Sequence, residues 1–156
     1  PRLEALRVFP GLDHRTVLVA ERRGVRWFDD SKGTNPGATV AALRGLIDPA
    51  ATGRAVLIAG GDGKGADFGE LAETIGRTAR ALILIGRDGP RIEVAVAGRV
   101  PTQTARDMAE AVRLAARVAQ PGDSVLLSPA CASFDMFDNY EQRGRVFVAA
   151  VKELGA

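Results

Sequence analysis

"RAVLIAGGDGKGADFGELAETIGRTARALILIG", Arg54–Gly86, holds two apolar runs around one polar, periodic segment. The first run, "RAVLIAG" at 54–60, and the second, "ALILIG" at 81–86, show no alternation of apolar and polar positions. A strand of that kind is buried on both faces, as in parallel sheets. Between the runs, "FGELAETIGRTA" at 68–79 spaces Leu71, Ile75 and Ala79 by four. That is one face of a helix, expected to begin near Asp67. Strand, glycine-rich loop, helix and strand together make a βαβ unit.

Upstream, "TVLVAE" at 16–21 and "VRWFDD" at 25–30 are β-prone runs separated by "RRG". That spacing predicts a hairpin, although "RRG" is a weaker turn former than Asn-Gly. "TNPGATVAALRGL" offers Asn35 as an N-cap and Pro36 at the first helical position. Downstream, "RDGPRIEVAVAG" reads as a turn and a short helix, and "VPTQT" at 100–104 as a short strand whose Pro101 suits a sheet edge. "DMAEAVRLAARVA" at 107–119 is an amphipathic helix capped by Asp107, with Glu110 three residues on. "SVLLS" at 124–128 is an apolar strand. "YEQRGRVFVAAVKEL" at 140–154 is a closing helix expected to use Asp138 as cap and Glu141 as reciprocal partner.

The predicted fold class is therefore α/β: a Rossmann-like, doubly wound, mostly parallel sheet of about six strands, with an N-terminal β-hairpin and helices on both faces. No repeat, low-complexity segment or linker interrupts it, so 1–156 reads as one domain. The chain opens on Pro1, in what reads as the tail of a short helix, "RLEALRVF". An excised or trimmed piece of a longer protein would look like this.

Composition narrows the function. A net charge of +2, with basic residues scattered and only 5% aromatics, offers neither a basic stripe nor a stacking surface for nucleic acid. No apolar run approaches the roughly 18 residues of a membrane span. Cys131 is the single cysteine, so no intrachain disulfide can form, which suits a reducing compartment. One Cys and the single His14 cannot build the usual N/S metal cage. Lysine occurs only at 32, 64 and 152; every other basic residue is Arg. Two of the three lysines sit in Gly/Asp-rich loops, where a compact, rotatable ammonium suits an anion.

In such a sheet, ligands bind beyond the carboxyl ends of the strands. Those ends are the loops at 30–35, 60–67, 86–90 and 128–139. The loop around Lys64 looks like a Walker A motif, but the spacing fails: Ile58 stands where the first Gly is needed, and Gly65 where the Ser or Thr is needed. The dinucleotide pattern fails too, because Gly61, Gly63 and Gly65 are one position out. An anion of another kind and a plain turn with a solvated Lys both remain open for this loop. In "DDSKGTN", Asp30 could accept ribose hydroxyls or pair a lysine, Lys32 could reach a phosphate, and Thr34 and Asn35 lie at a helix start that favours anions. Ordinary capping with a surface ion pair is the alternative there. "SPACASFD" carries Ser128, Cys131 and Ser133 with no base close in sequence, so a packed, inert Cys131 is expected. His14 is either a loop residue bonded to backbone or, with Arg15, a neighbour of a nucleotide.

The segments "FPGLDHR", "FDDSKGTNPGAT", "GGDGKGADF" and "LLSPACASFDMFDNYEQRG" occur in that order. Together they resemble the C-terminal domain of the Mur ligases, the ADP-forming amino-acid ligases of peptidoglycan assembly. Within that family they are most similar to the D-glutamate-adding branch. The resemblance runs from about Phe9 to Leu154 and is shared, at the level of fold, with folylpolyglutamate synthetases. It implies a cytoplasmic bacterial enzyme, monomeric, acting on ATP, D-glutamate and UDP-N-acetylmuramoyl-L-alanine. It also implies that the UDP-binding domain, and the central ATPase domain with its P-loop and Mg²⁺ ligands, lie outside this chain. ATP would phosphorylate the alanyl carboxylate, and the D-glutamate amine would attack the acyl phosphate. Residue by residue, Lys64 and Thr34 would hold one D-glutamate carboxylate. Ser133, Phe134 and the backbone around Tyr140 would hold the other. His14, Arg15, Asp30, Lys32 and Asn35 would face the nucleotide. Some family members have Leu at the position of Phe134 and Phe at that of Tyr140, differences expected to alter packing rather than chemistry. Two other readings compete with a ligase domain: a free-standing module for small anions, and an α/β core whose loops merely turn.

Overall fold

The structure, a computed structural model, describes residues 14–155. The expected helix tail at "RLEALRVF" lies outside them. Among the described residues six strands form one sheet in the order β1-β2-β6-β3-β4-β5. The strands are β1 (Val17–Arg22), β2 (Val25–Asp29), β3 (Ala55–Gly60), β4 (Ala79–Ile85), β5 (Thr102–Thr104) and β6 (Ser124–Leu127). The helices are α1 (Pro36–Leu46), α2 (Gly69–Thr78), α3 (Gly89–Val96), α4 (Met108–Val118) and α5 (Tyr140–Lys152). Only β1 runs antiparallel; every other neighbouring pair is parallel.

The β1–β2 hairpin closes through Arg23 and Gly24, both at positive φ (53° and 78°). Two consecutive positive φ values define a type I′ turn, whose twist matches that of the flanking strands. Arg23 therefore adopts a conformation its residue type does not advertise. The edge strand β5 is only three residues long, too short to template another chain. Pro101, just before it, gives its carbonyl to the Leu82 amide.

The side-chain period of two divides each central strand between two cores. Leu57, Leu82, Leu126 and Phe28 lie in register across the sheet and pack under α1, α2 and α3, against Leu43, Leu71, Ile75 and Ile92. Their neighbours Val56, Val125 and Trp27 face the other way, onto Ala111, Val112 and Ala115 of α4 and Phe147 and Val151 of α5. The division follows from handedness. The β2–β3, β3–β4 and β4–β5 crossovers all advance in one direction, so right-handed connections place their helices on one face. The β5–β6 crossover travels back, so α4 falls on the opposite face. Strand β6 thus sits between β2 and β3, whose following helices lie on the face that α5 does not use. That is the topological switch point, where α/β sheets open a crevice for ligands.

Three local expectations are corrected. Helix α2 has Phe68 as N-cap, and Asp67 caps only the Gly69 amide at 2.8 Å. Helix α5 is capped by Asn139, not Asp138: Asn139 Oδ1 accepts from Gln142 N at 2.8 Å, and Gln142 Oε1 accepts from Asp138 N at 2.7 Å. The capping box is shifted by one residue because Gln142, not Glu141, lies three residues after the cap. In α4 the Asp107 cap holds, but Glu110 reaches back to the Arg106 amide.

Candidate functional site

The loop after β6 is the keystone of the carboxyl edge. On one side Ala130 N donates to Gly33 O at 2.9 Å, which binds it to the loop after β2. On the other side Gly60 N donates to Pro129 O at 2.9 Å, and Asp62 exchanges both backbone hydrogen bonds with Ala132. The loops at 30–35, 60–64 and 128–133 are thereby stitched into one rim, with Thr34, Lys64 and Ser133 on it. Ser133 is buried, whereas Thr34, Lys64 and Phe134 are exposed.

The β2 side of the rim is a polar clasp. Asp30 is buried, with Oδ1 accepting from Thr16 N and Oγ1 and Oδ2 accepting from Ser128 Oγ at 2.6 Å. Burial raises its carboxyl above the ordinary 3.8, and these hydrogen bonds pull it back in part. Thr39 Oγ1 completes the clasp by donating to Ser128 O. Asp30 is thus occupied by its own fold, and Lys32 is not its partner. Lys32 Nζ instead donates to Tyr140 Oη at 3.1 Å and lies 4.7 Å from that ring's centre. A cavity of about 210 Å³ opens beside the clasp, lined by Arg15, Thr16, Asp30, Lys32, Gly33 and Ala38 among others.

His14, remote in sequence, comes to this rim. Its Nδ1 donates to Asp29 Oδ2 at 2.5 Å, and its ring meets Tyr140 edge-on. Of the two readings open for His14, the ring does not take the bond to backbone but one with a carboxylate, although the His14 carbonyl does accept from Lys32 N at 2.9 Å. Gly144 of α5 makes this possible: any Cβ there would collide with the imidazole.

The β3 side explains the paired glycines. Gly60 and Gly61 take φ values of 128° and 134°, and a side chain on either would strike a neighbouring carbonyl, Ile85 O for Gly60 and Ala132 O for Gly61. They permit backbone close approach between loops rather than wrapping a phosphate. Beyond them, Lys64 and Gly65 occupy the centre of a second type I′ turn, with φ of 49° and 74° and Ala66 N donating to Gly63 O. A lysine in the left-handed region costs roughly 1 kcal/mol. Asp62 Oδ1 accepts from Lys64 N at 3.0 Å and from Arg87 at 2.8 Å, and the two hold its carboxyl below the ordinary range. Asp88 Oδ2 accepts from Gly63 N, and Asp135 Oδ2 from Arg87 N. Among the described residues no hydrogen bond or ion pair takes up the Lys64 ammonium, so the turn holds a charged tip out from the rim.

Residues 14–131 match the family model described as Mur ligase, glutamate ligase domain. The chain belongs to that family. The UDP-N-acetylmuramoylalanine–D-glutamate ligase of Aromatoleum aromaticum is 59% identical over 152 residues, covering 96% of this chain and 32% of the relative. Its namesake in Pseudomonas aeruginosa is 54% identical over 155 residues, covering 97% and 34%. The chain spans about a third of the length of these curated relatives. The bifunctional folylpolyglutamate synthase/dihydrofolate synthase of Yersinia pestis superposes with a TM-score of 0.64 at 16% identity, over 91% of this chain and 32% of that one. At that identity the likeness concerns the fold.

For a glutamate ligase domain, the residues singled out from sequence fall into two groups. His14, Lys32 and Tyr140 contact one another on the β2 side, and Arg15 and Asp30 line the adjoining cavity. Lys64, Thr34 and Ser133 lie along the stitched rim, and Asn35 caps α1 by accepting from Ala38 N. Cys131 is fully buried, and burial pushes its thiol up to about 12, which makes it inert as expected. The reading from sequence missed Arg143. It is fully buried, and burial draws its guanidinium down to about 10, still charged at neutral pH. An Arg in "NYEQRGR" reads as surface charge on a helix; only the distant acceptors Ser31 and Cys131 reveal otherwise. Among the described residues no three His, Cys, Asp or Glu side chains group to hold a metal ion.

Proposed function

We propose that the chain is the amino-acid-binding part of an ATP-dependent ligase that joins D-glutamate to UDP-N-acetylmuramoyl-L-alanine in the bacterial cytoplasm, during peptidoglycan synthesis. The relatives of that name, 54–59% identical over nearly the whole of this chain, support the substrate assignment. The observation that carries the reading physically is Lys64: an ammonium with no hydrogen-bond or ion-pair partner among the described residues, held out on a strained turn at the switch point. Strain of this kind persists where the surroundings impose it and collects at functional sites.

In this reading D-glutamate, a dianion, is held at two points. Lys64 and Thr34 take one carboxylate; Ser133, Phe134 and the start of α5 at Tyr140 take the other. Arg15, Lys32 and Asn35 face part of the nucleotide, while Asp30 and His14 hold the loops that present them. ATP supplies the phosphoryl group that activates the acceptor carboxylate. This chain's own contribution is to neutralise the charge of the incoming amino acid and aim its amine, a matter of positioning rather than covalent chemistry. The UDP-binding and ATPase parts would lie on further domains of a longer protein, consistent with relatives about three times this length.

The test is ADP release by the full-length protein supplied with UDP-N-acetylmuramoyl-L-alanine, ATP and either glutamate enantiomer. Release should depend on D-glutamate. Equal release with L-glutamate, or none with D-glutamate, overturns the reading.

A further inference from the structure

We infer that Arg143 is a positioning residue that locks the nucleotide-side and amino-acid-side loops into a single register; this rests on the ligase reading above. Its guanidinium is fully buried and makes no ion pair among the described residues. It donates only to neutral oxygens: Nε to Ser31 Oγ at 3.0 Å, Nη2 to Ser31 O at 2.6 Å and Nη1 to Cys131 O at 2.9 Å. A buried cation with no ion-pair partner in contact, and only the more distant carboxylates of Asp29 and Asp135 to offset its charge, is a costly way to fill space, and an apolar side chain of similar size would fill it at less cost. The fork is what an apolar residue would not supply.

Each acceptor adjoins a group of the candidate site. Ser31 precedes Lys32, on the nucleotide side. Cys131 lies two residues before Ser133, on the amino-acid side. Ser31 Oγ also donates to the Tyr140 carbonyl at 2.7 Å, so the first turn of α5 joins the same node. Arg143 itself sits on that turn, three residues after Tyr140. Three segments from distant parts of the chain thus meet at one planar group. A lysine has three donors but no rigid fork, and cannot meet all three acceptors in one plane. Arg143 touches none of the proposed ligands; it acts through the residues that do.

The experiment uses the full-length enzyme carrying Arg143→Lys or Arg143→Met, beside Lys64→Ala. Both Arg143 variants should raise KM for D-glutamate and for ATP together, by about tenfold or more, with kcat falling less. Lys64→Ala should raise only the D-glutamate value. Amide deuterium exchange in Arg143→Lys should accelerate in peptides covering 30–35 and 128–140 and stay unchanged in β3 and β4. A folded variant whose two KM values both stay within about twofold of the parent overturns the inference. So does a lower kcat at unchanged KM, which reports a lost active fraction and a merely structural role. If Arg143→Met does not fold, Arg143→Lys and Ser31→Ala decide, and unchanged KM values in both overturn it. If the parent enzyme shows no D-glutamate-dependent ADP release, the ligase reading fails, and deuterium exchange alone judges Arg143.

Discussion

Lys64 combines two features that rarely meet in one residue. Its backbone lies at a positive φ that glycine would take without strain, and the sequence spends a long charged side chain there. Removing the ammonium should show what that choice is for. A charge-assisted hydrogen bond contributes about 1.5–3 kcal/mol, so Lys64→Ala should raise KM for D-glutamate about tenfold or more with a smaller change in kcat. Lys64→Gly should lose the same affinity while unfolding at an equal or higher temperature, because it relieves the turn. A Gly variant that binds normally would show that the ammonium is only a solvated charge. Asp30 teaches the opposite lesson. From sequence it was a ligand candidate, but both its oxygens are taken up by Thr16 and Ser128. A carboxylate in a loop motif can be there to hold the loop.

At the scale of elements, the sheet is fastened at its amino end as deliberately as it is opened at its carboxyl end. Asp123, before β6, has a fully buried side chain that takes a bidentate hydrogen bond from Arg80 at the start of β4 and backbone bonds from Arg54 and Gln120. Burial alone would raise its carboxyl, but the Arg80 guanidinium and the two amides outweigh it and hold the group below its ordinary 3.8. A carboxyl depressed in the folded state contributes stability that is present above the unfolded value and lost as pH falls through the folded one. Asp123→Ala should cost about 3 kcal/mol at neutral pH, the low end for a buried pair because Arg80 is partly exposed. The variant should also lose part of the parent's acid sensitivity below about pH 4. Urea midpoints at pH 7 and pH 3 check both, and an equal acid-induced loss in parent and variant would exclude Asp123 from the linkage.

For the whole molecule, the decisive fact is that one strand returns. Because β6 inserts between β2 and β3, the three loops that carry the candidate residues share one rim. That rim presents charge and positioning but neither a Walker A spacing nor a metal cluster among the described residues. The chain by itself, given ATP, D-glutamate and the UDP-linked acceptor, should release no ADP. Turnover by the purified chain would contradict the division of labour proposed between it and the rest of a longer protein.

Much of this was legible in the residues, for a local reason. Unbroken apolar runs, a period of four and capping residues such as Asn35 and Asp107 act within a few positions, so they set the elements and their order without help from the rest of the chain. The motif order likewise pointed to the family before any geometry was known. What sequence could not settle was which polar side chains are free to meet a ligand and which are consumed by the fold. Asp30 was claimed by Ser128, His14 by Asp29 and Arg143 by Ser31 and Cys131, partners up to 112 positions apart. The order of strands brings them together, and only in the folded molecule do buried donors and acceptors have to find one another, since water no longer satisfies them.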